Sequence, residues 1–491
     1  MKEKRACRYG LLILLLGASV SFAKKPNILL IYTDDVGFGD LSCYGATKVS
    51  TPNCDKLAAE GVRFTDAHTV AATCTPSRYS LLTGRYAFRD RGTGIASPVD
   101  GLIIDPNKTT LPGMLRDAGY ATGIVGKWHL GLGTKPTNYN EPITRGPKEV
   151  GFDYSWIIPA TGDRVPCVWM EDGHIVNYDP NDPITIDPTV NRRSKESLIK
   201  GIPRIGSMKG GVAALWTDDE ISFVIADKSC GFIEKNKDVP WFLYMSTHSI
   251  HVPRVPNEIF VGKSDCGVRG DALVEMDWQV GRILAQLDKL GLAENTLVIF
   301  SSDNGGTLDS NGPDLVHGCG DPDATNGHVP NGVLNGKKGN VFEGGTRVPT
   351  IARWPGHVAP GESAALMSQV DLLASLAALV GAPLPAEEAF DSQDQLVAWL
   401  GKDLQGREFI LEQSNSGTPF GLRYREWKYL PYGGDKTDSS EMLFNLGQDI
   451  GEQNNVAAAH PEKVEQMRKK LIEILGETQL RAPKVKNKKK K

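Results

Sequence analysis

Lys25-Pro26-Asn27-Ile28-Leu29-Leu30-Ile31-Tyr32-Thr33-Asp34-Asp35 is an unbroken apolar run closed by two carboxylates. Without polar–apolar alternation, both faces of the strand it predicts must be buried, as in a parallel sheet covered on each side by helices. Similar runs recur at 121–125, 241–245 and 296–300. Amphipathic segments lie between them, such as 271–290 with Leu273, Val274, Val280, Ile283, Leu284 and Leu287 at helical spacing. Strands alternating with helices give an α/β fold with a large, mostly parallel central sheet. Ligands in such sheets bind beyond the carboxyl ends of the strands. Asp34, Asp35, Lys127, His129, His248, His251, Asp303 and Asn304 all fall there.

Composition bounds the setting of this site. In the 491 residues, 1–23 read as a secretory signal: Lys2, Lys4, Arg5 and Arg8, an apolar run from Leu11 to Leu16, and a small-x-small site at Ser21-Phe22-Ala23. That run is short of a spanning helix, and no later segment reaches spanning length. The expected mature protein is exported, periplasmic or extracellular if bacterial. Removing four Lys/Arg and one Asp/Glu from totals of 55 and 59 leaves 51 against 58, so no global basic footprint for nucleic acid exists. Six lysines between Lys484 and Lys491 form a solvated tail. Cys43, Cys54, Cys74, Cys167, Cys230, Cys266 and Cys319 remain after cleavage, with no CxxC pair and hence no zinc-type spacing.

Two groups of residues carry chemistry. Asp34-Asp35 and Asp303-Asn304 end separate strands and supply three carboxylates and an amide, a hard-oxygen set suited to Ca²⁺ first and Mg²⁺ second. Asp and Asn also end strands in ordinary turns, so the residues alone leave both readings open. Cys74-Thr75-Pro76-Ser77-Arg78 opens a helical segment with Pro76 in its first turn. Cys74 then sits where backbone N–H groups and the helix dipole favour negative charge, although a buried cysteine beside a cap reads the same way. Arg78, one turn on, can return to the same place. Lys127 and His129 flank Trp128 on one strand and so share a face.

Cys74-Thr75-Pro76-Ser77-Arg78 with Leu81-Leu82-Thr83-Gly84-Arg85, followed by Gly119-Tyr120-Ala121-Thr122-Gly123-Ile124-Val125-Gly126-Lys127-Trp128-His129, resembles the signature of the formylglycine-dependent type I sulfatases, of the arylsulfatase and N-acetylgalactosamine-sulfatase kind, in the alkaline phosphatase superfamily. The resemblance spans nearly all of residues 25–475. It implies that Cys74 is oxidised to formylglycine by a formylglycine-generating or anaerobic sulfatase-maturating enzyme. One hydroxyl of the hydrated aldehyde then attacks sulfur, giving a covalent sulfo-enzyme that the second hydroxyl resolves. Asp34, Asp35, Asp303 and Asn304 become metal ligands. Arg78 holds the nucleophile, Lys127 and Lys338 bind sulfate oxygens, His129 is the base and His251 meets the leaving oxygen. Lys337 is the register alternative to Lys338.

The resemblance also orders the chain: residues 24–383 as the catalytic domain, 384–478 as a smaller C-terminal α+β subdomain and 479–491 as the tail. Within the subdomain, 407–412, 421–430 and 441–445 read as antiparallel strands and 461–475 as a helix. Residues 130–215, rich in Pro, Gly, Asn and Asp, read as loops over the strand ends. Arg164, His174 and His248 are the candidate substrate-reading residues, with Trp169, His317 and Arg353 behind them. The expected substrate is a sulfated glycan, with a galactose or N-acetylgalactosamine sulfate as the choice. A phosphodiesterase or phosphonate hydrolase of the same superfamily, or an unconverted sulfoglycan-binding protein, are the alternatives.

Overall fold

The computed structural model describes residues 24–308, 325–385, 387–415, 419–432 and 440–475. The signal, the lysine tail, His317 and Cys319 lie outside them. Asn27–Thr33 is an inner strand of a ten-stranded sheet. From one edge the order is Gly361–Ser363, Val62–Phe64, Thr350–Arg353, Thr296–Ser302, Asn27–Thr33, Trp241–Ser246, Ala121–Lys127, Tyr154–Ile158, Met170–Glu171 and His174–Ile175. The five strands from Thr296–Ser302 to Tyr154–Ile158 run parallel, and antiparallel pairings flank them on both sides.

The continuous apolar run is explained by two cores. Ile28, Leu30 and Tyr32 point to one face, packed by the helices Cys74–Thr83, Leu111–Asp117 and Leu372–Val380. Leu29 and Ile31 point to the other, packed by Pro52–Ala59, Ile221–Lys235 and Gly267–Lys289. Each buried Leu or Ile contributes about 1.5–3 kcal/mol, so a polar residue within this strand would be costly on either face. Polar groups begin where the cores end, which is why the carboxylates cluster at the strand termini.

Three sequence expectations need correction. Residues 130–215 are not loops alone, because Tyr154–Ile158 is the fifth parallel strand and two short strands extend the sheet beyond it. Its start, at Asp153 and Tyr154, is partly polar, which hid the run. Lys127 and His129 do not share a strand: the strand stops at Lys127, and His129 takes φ of +55°. The expected strand 421–430 is a hairpin of Phe420–Tyr424 and Trp427–Leu430, turning at Arg425, which has φ of +52°. The Pro461–Leu475 helix stands as read. All six described cysteines are free thiols. No helix among the described residues is long and apolar enough to cross a membrane.

The C-terminal antiparallel sheet (Phe409–Gln413, Phe420–Tyr424, Trp427–Leu430, Met442–Asn445) docks against the segment that leads into Cys74. The Gln413 N–H donates to the Val70 carbonyl and the Ala72 N–H to the Gln413 carbonyl, both at 2.9 Å. Behind this contact Lys428 is fully buried, with Nζ 2.8 Å from Glu343, 2.9 Å from Glu412 and 3.7 Å from Glu452. His68 lies between Asp66 and Glu412 in the same cluster. Removing one partner of a buried ion network leaves uncompensated charge, which costs about 3–5 kcal/mol. Lys428→Met is therefore expected to lose stability of that order in denaturant unfolding. A midpoint equal to that of the parent protein would refute the docking role.

Candidate active site

Register brings the strand ends to one level. Thr33 pairs with Ser302, Tyr32 with Ser246 and Ser246 with Gly126, so the residues that follow each strand converge. The Asp303 N–H donates to the Thr33 carbonyl at 3.0 Å, and the Ile250 N–H to the Asp34 carbonyl at 2.6 Å. Gly126 is required for this convergence: its φ is +111°, and a Cβ there would lie 1.8 Å from the Ser246 carbonyl oxygen. Asp35 is also left-handed, at φ of +61°. Such backbone costs of order 1–3 kcal/mol and persists where surrounding contacts fix it, typically at functional sites.

Carboxylate oxygens of Asp34, Asp35 and Asp303 lie within 4.8 Å of one another, and all three side chains are buried. Three cations offset them. Lys127 Nζ is 2.5 Å from Asp34 and 3.7 Å from Asp303. Lys338 Nζ is 2.6 Å from Asp35. Arg78 donates from Nε and Nη2 to Asp303 at 3.1 and 2.8 Å, and from Nη1 to Tyr244 and Ser246. Burial pushes the Asp35 carboxyl up, but Lys338, His251 and Lys127 outweigh it and hold it well below the usual range. Asp303 is raised by burial and by Asp34 beside it. Lys338 stays charged because the surrounding acids overcome its desolvation.

The donor set fits a divalent cation. Asp34 Oδ1 and Asn304 Oδ1 are buried without a partner among the described residues, while Asn304 Nδ2 donates to Asp35 at 2.7 Å. Orphaned hard oxygens beside a carboxylate cluster are what Ca²⁺ or Mg²⁺ would satisfy.

Cys74 opens the helix Cys74–Thr83, every residue of which is buried, and Gly84 ends it in a left-handed cap. The Cys74 sulfur, an Asp34 oxygen and a His251 ring nitrogen lie within 4.8 Å of one another. Burial raises the Cys74 thiol, against the pull of Lys127 and Lys338, so an unmodified Cys74 is a protonated thiol and a poor nucleophile. Arg78 offsets the charge of Asp303 and also donates to Tyr244 and Ser246.

His129 Nε2 lies 3.2 Å from the Ala96 carbonyl, which assigns the proton to Nε2 and leaves Nδ1 a buried acceptor without a partner among the described residues. Burial, Lys127, Arg164 and Arg78 keep the ring neutral. His251 Nδ1 is 2.7 Å from the Val252 carbonyl. Burial and Lys338 bring His251 down to about 3, and burial and His251 do the same for His248.

The substrate candidates divide. Arg164 lies beside Thr161 and Asp163 in the turn that packs on His248, where Gly162 is bare because the His248 ring occupies the place of a Cβ, 2.3 Å away. His174 is exposed on the edge strand, three strands from Ala121–Lys127, and is not part of the cluster. Arg353 pairs with Glu60 and sits opposite Val298, five residues short of Asp303. Trp169 is core, against Trp156 and Trp216. Sequence pattern does not single out Tyr244, Ser246 or Asn331. Asn331 bridges the Gly306 N–H, the Gly306 carbonyl and the Gly336 carbonyl, tying the Asp303 turn to the loop of Lys338. Its loop position carries no periodic signal.

A helix-flanked, mostly parallel sheet that gathers carboxylates, lysines and a helix-opening cysteine at its strand ends defines a hydrolase of the alkaline phosphatase superfamily. The Sulfatase family model matches residues 26–382, and the chain belongs to that family; it is a sulfuric ester hydrolase. It is 46% identical over 476 residues to an N-acetylgalactosamine-6-O-sulfatase of Bacteroides thetaiotaomicron, covering 91% of this chain and 92% of the relative. It is 32% identical to human arylsulfatase A, over 93% and 89% of the two chains. A solved 6S-sulfatase structure, described under metabolism of multiple glycosaminoglycans by B. thetaiotaomicron, superposes with a TM-score of 0.87 at 45% identity, over 92% and 99%. A phosphonate monoester hydrolase of Agrobacterium radiobacter shares the fold, with a TM-score of 0.60 at 20% identity, over 92% and 95%.

Exhaustive chelation is expected to lower the melting temperature as well as the activity, and Ca²⁺ to restore both. An ion bound only to the native state at a hundredfold excess over its Kd stabilises by about 2.7 kcal/mol. Unchanged melting with no metal in elemental analysis would exclude the cation.

Proposed function

We propose that the protein is an exported, exo-acting carbohydrate sulfatase that releases the 6-sulfate of a galacto-configured N-acetylhexosamine, with Cys74 matured to formylglycine. The observation that carries this reading is the Cys74 sulfur beside Asp34 and His251 at the end of a buried helix, in a chain 46% identical to an N-acetylgalactosamine-6-O-sulfatase. Export rests on the composition of residues 1–23.

A divalent cation held by Asp34, Asp35, Asp303 and Asn304 supplies Lewis-acid polarisation of a sulfate oxygen. A matured Cys74 supplies a hydroxyl nucleophile where the thiol cannot. The remaining work falls to side chains already in position. Lys127 and Lys338 offer ammonium donors to sulfate oxygens from two sides. His129, neutral with no partner for Nδ1 among the described residues, takes the proton of the aldehyde hydrate's second hydroxyl as sulfate is expelled. His251 meets the leaving oxygen; its resting ring is neutral, and a bound sulfate anion raises its proton affinity so that it can act as the acid.

Losing a positioned acid typically costs ~10²–10⁴ in rate. His251→Ala should approach that loss on a sugar sulfate and lose far less on nitrophenyl sulfate, whose leaving group is already acidic. Equal losses on both substrates would remove His251 from the proton transfer. Arg164→Gln should spare nitrophenyl sulfate and impair the sugar sulfate, because a pocket built to hydrogen-bond a hydroxyl discriminates strongly. A screen of defined monosulfated sugars tests the substrate: N-acetylgalactosamine 6-sulfate should lead. Faster phosphate than sulfate release across matched esters would favour the phosphonate hydrolase reading.

A further inference from the structure

Beside the strand-end cluster, one arginine has a long ion pair and no side-chain hydrogen bond among the described residues. Arg192 lies in the loop after Asn191, with its side chain 14% exposed. Its Nε is enclosed without a partner, and its guanidinium makes no hydrogen bond among the described residues. The nearest acid, Asp163, is 3.9 Å from Nη1, beyond hydrogen-bonding distance. An orphaned Nε is shared with Arg204 and Arg269, but their terminal nitrogens are bonded, Arg204 to Asp218 at 2.6 Å and Arg269 to Asp40 through both, whereas those of Arg192 make no hydrogen bond among the described residues. A guanidinium carries five donors and no acceptor, and those on the terminal nitrogens of Arg192 are not enclosed, so a ligand can reach them.

Asp163 cannot supply the missing acceptors. Its Oδ1 takes the Thr161 hydroxyl and Arg164 Nη1, the latter at 3.3 Å. Arg164, Asp163 and Arg192 together keep one net positive charge. The turn that holds Asp163 and Arg164 is fastened over the site: the His129 N–H donates to the Pro159 carbonyl at 3.2 Å, and Gly162 packs on the His248 ring. The His248 ring in turn lies 6.2 Å from that of His251, centroid to centroid. Arg192 thus stands one group further out than Asp163, on the side of His251 and the leaving group.

We propose that Arg192 binds a second anionic group of the substrate, a carboxylate or sulfate on the leaving sugar or its neighbour, distinct from the sulfate that is cleaved. The planar donor fork of arginine matches either oxyanion in a bidentate manner. The inference rests on the carbohydrate sulfatase reading above. It makes the enzyme selective for sugars bearing more than one anion.

The test compares the wild-type enzyme with Arg192→Gln and Arg192→Lys on four compounds: nitrophenyl sulfate, N-acetylgalactosamine 6-sulfate, its 4,6-disulfate, and a disaccharide joining the 6-sulfate sugar to a uronic acid. Wild type should have a lower KM for at least one doubly anionic compound than for the monosulfate. Arg192→Gln should raise that KM about 10–100-fold, the range for a lost charge-assisted hydrogen bond, with kcat little changed. Nitrophenyl sulfate and the monosulfate should be unaffected, and Arg192→Lys should recover part of the loss. Whichever compound responds identifies the anion as sulfate or carboxylate. Equal KM values for singly and doubly anionic sugars, or an equal rise for both in Arg192→Gln, would overturn the proposal while sugar-sulfate turnover persists. Absence of any sugar-sulfate turnover in the wild type would instead sink the parent reading, and this one with it.

Discussion

Three carboxylates buried within 4.8 Å of one another are the constraint around which the molecule is built. Unpaired, they would repel one another and pay for lost hydration. Lys127, Lys338 and Arg78 offset them one for one, and each comes from a different part of the chain. Lys127 arrives at a strand end, Arg78 from the helix that Cys74 opens, and Lys338 from a loop fastened by Asn331. The cluster therefore joins the sheet, a helix and a loop through charge as well as packing. A divalent cation added to this balanced set leaves the site net positive, which suits an anionic ester.

The rest of the architecture serves that convergence. Two apolar cores clamp the sheet from both faces and leave polarity only at the strand ends. The left-handed backbone at Asp35 and His129 turns those side chains inward, where strands running on would carry them past the site. The C-terminal sheet acts on the same place: Gln413 hydrogen-bonds the 70–72 segment two residues ahead of Cys74, and Glu343, held by Lys428, begins the helix five residues after Lys338.

Much of this was legible in the sequence because it rests on local pattern. The apolar run at 27–32 required burial on both faces, and Asp34, Asp35, Asp303, Asn304, Lys127, His129 and His251 followed as strand-end residues. Cys74 and Arg78 were legible through the motif and its helix. The errors have physical causes. Spacing puts His129 on a strand because it cannot reveal a left-handed turn, and a turn at Arg425 with no Gly or Asn to mark it hides the 421–430 hairpin. Residue type alone singles out His174 and Arg353, whereas tertiary register decides their position. Tyr244 and Ser246 sit inside a strand that reads as core, and Arg192 in a loop where the contacts of a guanidinium cannot be inferred from sequence.

The account turns on Cys74 being a precursor rather than a nucleophile in its own right. The most direct measurement is the fraction of Cys74 converted, from intact mass of the peptide that contains it, set against specific sulfatase activity across preparations made with graded amounts of a maturating enzyme. Activity proportional to conversion, extrapolating to zero for the unconverted thiol, is the predicted result. Substantial sulfate release from protein whose Cys74 is wholly unmodified would contradict it.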